Sequence, residues 1–258
     1  MKIFGLLMLV ACAASGTNRQ TANSANSSRV PVLVELFTSE GCSSCPPADE
    51  LLQRMDTAQP IPGALIIVLS EHVDYWNHDG WKDPYSSSIS TDRQIAYVRA
   101  LGLNTPYTPQ MLVDGTSELR GTWEEHAQTI EKAAALHHVS IRIGSISVAA
   151  QTPAVLSAQI EAEASPEKHN AEVYVVVALD HAESQVLDGE NSGKHLVHVA
   201  VVQEFKKIGK LEKAKSFSQD FQVKLKPGTD PSNIRVVAFV QESGPGRVLG
   251  TALQKVPK

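Results

Sequence analysis

The sequence is short of aromatic residues, of cysteine and of excess positive charge. Aromatic side chains make up 5% of its 258 residues, and cysteine occurs three times, so no second cysteine pair is present to complete a four-cysteine zinc site. Acidic residues outnumber basic ones, 28 to 23, and the formal net charge is -5. Nucleic-acid-binding proteins usually carry a basic surface, so we expect no nucleic-acid partner. The hydrophobic share of 42% and the charged share of 20% are those of a globular chain, long enough for one large or two ordinary domains.

The first apolar run of the chain is also short. Residues 3–10 fall well below the ~20 residues of a transmembrane helix, so we expect no permanent membrane span there. Lys2 before this run and small residues after it have the layout of a bacterial export signal.

The end of this signal, Leu9–Cys12, resembles a lipobox. The resemblance implies that residues 1–12 are a signal peptide with a lipobox and that Cys12 is lipidated; the alternative is an ordinary secretory signal whose cleavage removes Cys12. Acyl chains would anchor the protein to a membrane surface. The residue after Cys12 is Ala13, so the acidic residue that would signal retention at the inner membrane is not there. We therefore expect a lipid-anchored protein on the periplasmic face of a bacterial membrane, and specifically an outer-membrane lipoprotein. Residues 13–29, which are small and polar, predict a flexible tether.

The centre of the sequence is a short apolar strand, Val32–Phe37, followed by a turn and a Cys-x-x-Cys pair, Cys42 and Cys45, where a helix begins. The free N–H groups and the positive dipole end of a helix start favour a thiolate. With Cys12 lipidated or removed, a disulfide within one mature chain can only join Cys42 to Cys45, and an exported setting permits it. We expect Cys42 to be the exposed nucleophile and Cys45 the resolving thiol. An inert structural disulfide and a zinc half-site are the alternatives.

Residues 30–137 alternate predicted strands and helices. Thr91 and Asp92 predict the start of the second helix, and Thr122 with Glu125 three residues later predicts a capping box at the start of the third.

A pair Thr108–Pro109 leads into a strand. The order of strand, Cys-x-x-Cys helix, strand, helix, hairpin led by proline and helix resembles the thioredoxin fold. The resemblance implies that the bond before Pro109 is cis and packs against the Cys-x-x-Cys turn, and that Thr108 and Pro109 help to hold a substrate peptide.

Within that fold the chain resembles the exported bacterial family called domain of unknown function 1223. The residues that carry this second resemblance are residues 34–49, His72–Trp76, Gly80–Pro84, Gln110–Gly115 and Gly189–Lys194. It implies no established activity.

Several polar residues are candidates for a site around the cysteines. Glu35 interrupts an apolar strand and could exchange a proton with Cys45 if it is buried below the pair; a simply paired Glu35 is the alternative. His72, Asp74 and Trp76 alternate where the second strand ends, an edge at which α/β sheets bind ligands, so we expect them to contact substrate. His72 could also be only a packing residue. Trp76 could instead pack an insertion over residues 75–90.

Residues 138–258 contain about seven short alternating runs, the first over residues 139–148, separated by turns and with no helix between them, which predicts an antiparallel β-sandwich domain. The fold class expected for the whole chain is therefore an α/β thioredoxin-like domain, residues 30–137, followed by an all-β domain.

The function expected for this arrangement is thiol–disulfide exchange with exported protein thiols or disulfides and an unknown redox partner, without a cofactor or a bound metal. A copper-handling module using Cys42, Cys45 and His72, and a non-enzymatic binding protein with a structural disulfide, are the alternatives.

Overall fold

The structure is a computed structural model that describes residues 29–136, 138–164 and 170–257. The predicted signal, its lipobox at Cys12 and all of the tether except residue 29 lie outside these ranges. No helix within the described ranges is long and apolar enough to cross a membrane.

The described chain before residue 137 has the predicted order of strands and helices. The predicted strand Val32–Phe37 is longer by a few residues, and the predicted hairpin has a short second strand. The elements are β1 (Val30–Thr38), α1 (Pro46–Ala58), β2 (Ala64–His72), α2 (Ser88–Ala100), β3 (Gln110–Val113), β4 (Ser117–Glu118) and α3 (Trp123–Ala134).

Local sequence signals explain where these helices begin. Pro46 opens α1 directly after Cys45, a position where a missing N–H costs nothing. The capping box predicted from Thr122 and Glu125 is confirmed at the start of α3.

The start predicted for the second helix, at Thr91 and Asp92, is wrong. Helix α2 begins three residues earlier because the Ser87 side chain accepts a hydrogen bond from the backbone of Ile89. Thr91 is used elsewhere, as a hydrogen-bond donor to Asp74 at 2.6 Å.

The described chain after residue 137 is all β apart from one short 3-10 turn. The run predicted over residues 139–148 forms two strands, because the register on the partner strand shifts between them. Ile143 pairs with Ile160 and Ser147 pairs with Ser157, so this run has one residue more between the two pairs than its partner has. The strands are β5 (Ile141–Ile143), β6 (Ser147–Ala149), β7 (Val155–Ala162), β8 (Ala171–Gln185), β9 (His195–Leu211), β10 (Phe217–Lys224), β11 (Ile234–Glu242) and β12 (Val248–Lys255).

One large sheet runs through both parts of the chain. Its strand order is β12-β11-β8-β9-β2-β1-β3-β4. Strand β9 joins the first part beside β2 through a parallel pairing at Ser70 and Val201. A second sheet, β10-β7-β5 with β6 beside β7, packs on the later strands of the large one. The architecture is therefore mixed α/β with a large sheet and few helices. The division into domains at residue 137 and the thioredoxin-like assignment stay predictions.

Helices cover both faces of the early strands. Leu52 and Met55 of α1 share an apolar cluster with Val34 and Leu36 of β1, and α3 joins the same cluster. Helix α2 lies on the opposite face, where its Tyr97 packs against Phe37 of β1. Alternate residues of β1 therefore face different helices, which decides what each of them can touch.

Candidate functional site

The two cysteines lie between β1 and α1 and form a disulfide. Their Cα atoms are 5.4 Å apart, and Cys45 is the residue that caps α1. The turn is held by its own backbone, since the N–H of Cys45 donates to the carbonyl oxygen of Cys42 at 3.1 Å. The predicted disulfide and its place at the start of a helix are confirmed.

The prediction that Cys42 is exposed is wrong for this conformation. Cys42 and Cys45 are both 0% exposed, although Ser43 and Ser44 between them face solvent. The sulfurs are buried because other parts of the chain lie against the turn that carries them.

A segment from the second half of the chain holds the turn. This covering segment, residues 187–194, connects β8 to β9. The amide nitrogen of Asn191 donates to the carbonyl oxygens of Glu40 and Cys42 at 2.8 and 2.9 Å. The carboxylate of Glu190 accepts from the backbone N–H of Ser43 at 3.0 Å. The buried Asn191 therefore fixes the turn through main-chain contacts that do not depend on the side chains of the turn.

Thr108 and Pro109 lie at the same end of the strands as the cysteine turn. The bond between them is cis, as the resemblance to the thioredoxin fold implied. Pro109 immediately precedes β3, whose Gln110 pairs with Phe37 near the end of β1, so this turn and the cysteine turn emerge from neighbouring strands.

Trp76 occupies the space between these two turns. Its indole N–H donates to the Thr108 hydroxyl at 2.8 Å. A Cβ atom placed on Gly41 would lie 3.1 Å from the Cβ of Trp76, so the cysteine turn approaches Trp76 closely where it has no side chain. Trp76 therefore packs against both turns. Its predicted contact with substrate, like that of Thr108, stays a prediction.

The proton-exchange role predicted for Glu35 is wrong, because the side chain points to the other face of the sheet. Glu35 alternates with the residues of β1 that contact α1, and it is buried on the side of α2. Its two carboxylate oxygens accept from Arg93 at 2.6 Å and from the Tyr97 hydroxyl at 2.7 Å. Glu35 is thus the paired carboxylate of the alternative interpretation.

His72 is also turned inward. Its Nδ1 lies 2.7 Å from an oxygen of Asp83, and both side chains are fully buried. Burial acts to raise the pKa of Asp83, but the charge of His72 and hydrogen bonds outweigh it and lower that pKa. The predicted contact of His72 with substrate is therefore wrong for this conformation. Asp74 accepts a hydrogen bond from the hydroxyl of Thr91, which lies in α2. Its predicted role in substrate binding stays a prediction.

A buried polar network beside the cysteines was missed by the sequence reasoning. Glu40 accepts from the Trp81 indole N–H at 2.8 Å and lies 3.2 Å from Nε2 of His198. Nδ1 of His198 lies 3.8 Å from an oxygen of Asp49, in the first turn of α1. Burial lowers the pKa of His198, yet the carboxylates of Asp49 and Glu40 outweigh it and raise that pKa to about 9. His198 is therefore protonated at neutral pH.

This network contacts the one around His72. The rings of His72 and His198 meet edge to face with centroids 4.6 Å apart, and Tyr85 contacts both rings. Glu40 and Asp49 flank the two cysteines in the sequence and could have drawn attention. His198 could not, because it lies in β9, far along the chain from both cysteines. Within the described ranges, no three His, Cys, Asp or Glu residues are arranged to hold a metal ion.

Comparisons with known proteins identify a family and a shared fold. A family model described as a protein of unknown function, DUF1223, matches residues 33–241. A protein from Agrobacterium tumefaciens of known crystal structure is 25% identical, with a TM-score of 0.66 over 89% of this chain and 96% of that one. HBP35 of Porphyromonas gingivalis is 16% identical, with a TM-score of 0.68 over 88% and 76%, and shares the fold alone. No curated protein matches.

Proposed function

Because the chain belongs to the DUF1223 family, whose description gives no activity, we propose a function from its own residues: thiol–disulfide exchange with exported protein thiols, carried out by Cys42 and Cys45 on a thioredoxin-like framework. The single observation that carries the proposal is the disulfide between these residues at the start of α1. A helix start favours the thiolate that such an exchange needs, because its N–H groups and dipole stabilise negative charge.

The proposal includes a conformational step, since both sulfurs are buried. Movement of residues 187–194 would release the contacts of Glu190 and Asn191 with the turn. A visiting thiolate could then approach Cys42 from the side of the exposed Ser43 and Ser44. In this proposal, the described conformation is the closed, oxidised form.

The partners and the location belong to the same proposal. An export signal and a lipid anchor at Cys12 would place the protein at the periplasmic face of a bacterial membrane, with an outer-membrane address. Its substrates would then be exported proteins, and an unknown redox partner would restore the cysteine pair. An oxidising compartment agrees with a disulfide as the resting state.

Equilibration with glutathione tests the exchange. The full chain carrying Cys12→Ser is held in buffers of defined glutathione ratio, alkylated and weighed by mass spectrometry. We expect Cys42 and Cys45 to change between disulfide and dithiol while the far-ultraviolet circular dichroism stays that of a folded protein. A Cys45→Ala variant should then accumulate a mixed disulfide between Cys42 and glutathione, and a Cys42→Ser, Cys45→Ala control should not.

A different result would support a second function. If the disulfide of the folded protein is not reduced at any ratio, the exchange proposal is overturned and a binding protein with a structural disulfide is favoured. The full burial of both sulfurs is the observation that favours this second candidate. The copper-handling alternative has no comparable support, because both of its sulfur ligands are joined in the disulfide and no three His, Cys, Asp or Glu residues of the described ranges are arranged to hold a metal ion.

A further inference from the structure

We propose that Asp49 and His198 supply and remove the proton that the Cys45 sulfur exchanges when the disulfide opens and closes. The proposal rests on the thiol–disulfide exchange proposed above, and it replaces the role that the sequence suggested for Glu35.

Asp49 lies close to Cys45 along α1. It lies one helical turn after Cys45, so the two side chains share a face of α1, and its backbone N–H donates to the Cys45 carbonyl oxygen at 3.1 Å. Asp49 is buried, and its oxygen Oδ1 has no hydrogen-bond partner. A buried carboxylate oxygen without a partner is costly, so its persistence calls for an explanation.

His198 supplies the proton. Its Nδ1 also has no hydrogen-bond partner and lies 3.8 Å from Oδ1 of Asp49, a gap that a small movement or one water molecule could close. Its Nε2 lies 3.2 Å from Glu40, which fixes the ring and leaves Nδ1 towards Asp49. The other titratable groups against the ring are His72 and Tyr85, with Asp83 behind His72.

A surface cleft connects the pair to water. The cleft, of about 390 Å³, lies between α1 and the start of β9, and both Asp49 and His198 line it. Its charged and titratable rim consists of Glu50, Arg54 and His195. Oδ1 of Asp49 and Nδ1 of His198 are themselves buried, so the proposal needs this cleft to widen for protons to reach the pair, from a side of α1 that the covering segment does not occupy.

The chemistry balances when the partner is a dithiol. A thiolate of the partner attacks Sγ of Cys42, the Cys42–Cys45 bond breaks, and Cys45 leaves with the bonding electron pair. The His198 imidazolium passes its Nδ1 proton through the Asp49 carboxylate to this sulfur. The partner's second thiolate then attacks the mixed disulfide and releases Cys42 as a thiolate. The partner loses two electrons, the cysteine pair gains them, and His198 regains a proton from water in the cleft.

The rate of reduction by dithiothreitol as a function of pH tests this proposal. The full chain carrying Cys12→Ser is compared with Asp49→Asn and His198→Gln, from about pH 6 to about pH 10, at subsaturating dithiothreitol. General acid catalysis contributes about 100-fold or more, so we expect each variant to be about 10- to 100-fold slower near neutral pH. For the parent, the rate per dithiothreitol thiolate should fall as His198 loses its proton, near its pKa of about 9. This fall should be absent from His198→Gln.

The controls separate this role from a structural one. Asp49→Glu should recover part of the rate because it restores a carboxylate, and Asp220→Asn, on the exposed face of β10, should match the parent. Equal slowing at every pH, with the fall near pH 9 retained, would mean that the pair only supports the structure. A parent disulfide that dithiothreitol cannot reduce in the folded protein would instead overturn the exchange proposal itself. If His198→Gln does not fold, the near-isosteric Asp49→Asn decides the outcome.

Discussion

At the scale of single residues, Asp114 shows how burial makes a carboxyl group expensive. Its oxygen Oδ1 accepts from the backbone N–H of Leu33 at 2.9 Å, but Oδ2 is buried without a hydrogen-bond partner. Burial, with a smaller contribution from the charge of Glu35, outweighs the Leu33 contact and raises the pKa of Asp114 to about 7. Its φ of 43° is one that asparagine tolerates well.

Asp114→Asn should stabilise the protein at neutral and basic pH. A carboxyl group whose folded pKa is raised favours folding below its unfolded pKa of about 4, and this contribution is lost as the pH rises through the folded pKa. We therefore expect the variant to gain about 1 to 3 kcal/mol over the wild type at about pH 8 and little at about pH 4. Urea unfolding at both pH values measures the difference. An equal difference at the two pH values would contradict the raised pKa of Asp114.

The sequence predicted the cysteine pair, but it did not predict the face of the sheet on which Glu35 lies or the burial of Cys42. Cys42 and Cys45 were identifiable because spacing at a helix start is a local signal. Glu35 was assigned to the wrong face because its partners, Arg93 and Tyr97, come from a helix 58 and 62 residues away. Exposure of Cys42 was expected because no local pattern shows that Asn191 will reach it.

At the scale of elements, the connection between β8 and β9 lies against the turn that carries the disulfide. Asn191 holds the cysteine turn with two buried hydrogen bonds, and its own side-chain oxygen accepts from Lys194 at 2.8 Å. Release of the turn would break the two bonds to the carbonyl oxygens of Glu40 and Cys42. If the turn opens as proposed, the strength of these bonds limits how often the sulfurs are exposed.

Asn191→Ala should accelerate the reduction of the disulfide. Each lost hydrogen bond is worth about 1 kcal/mol, so two of them correspond to an increase of about 10-fold or more in the fraction of open molecules. The initial rate of dithiothreitol reduction at neutral pH measures this. Ser192→Ala is the matched control, because the Ser192 hydroxyl donates only to Leu187 within the same segment. A rate for Asn191→Ala equal to that of the control would show that another part of the chain limits access.

Most elements could be predicted from the sequence because their signals are local. Apolar periodicity, Pro46 and the Thr122 capping box are all contained in a few residues. The start of α2 was displaced because two hydroxyl residues, Ser87 and Thr91, could each cap a helix. Packing decided between them, since Asp74 binds Thr91.

At the scale of the whole molecule, a buried arginine joins the two parts of the chain. Arg235 of β11 donates to both carboxylate oxygens of Asp56 in α1, at 2.9 and 2.8 Å, and to Asp180 of β8 at 2.6 Å. The Arg235 side chain is 1% exposed. Such a pairing links the helix that carries the cysteines to the far strands of the large sheet.

Arg235→Met should destabilise both parts of the chain together. Removing one member of a buried ion pair costs about 3 to 5 kcal/mol because the remaining charge loses its partner. Tryptophan fluorescence reports on the first part, where all three tryptophans lie, and circular dichroism reports on all strands. We expect the two urea transitions to coincide and to move to lower urea together.

The control for this experiment is Lys255→Met, which removes an exposed partner of Asp180 and should cost less than about 1 kcal/mol. A fluorescence transition that stays in place in Arg235→Met, while the circular dichroism transition moves, would contradict the linkage.

The joining of the two parts could not be predicted from the sequence. The strands themselves were recognisable, but a sequence pattern does not name the neighbour of a strand. The parallel register between β2 and β9 rests on one residue pair, Ser70 and Val201. The sequence around neither residue carries a signal that identifies its partner strand. Topology of this kind depends on packing between residues that are far apart in the chain.

The distance along the chain between the cysteine turn and its cover has a consequence for biogenesis. Asn191 lies 149 residues after Cys42. If the protein is exported as proposed, a polypeptide that emerges with its amino terminus first would present both thiols to the oxidants of that compartment before the covering segment follows. The disulfide would then form before the covering segment buries it, so the newly folded protein would already contain the disulfide.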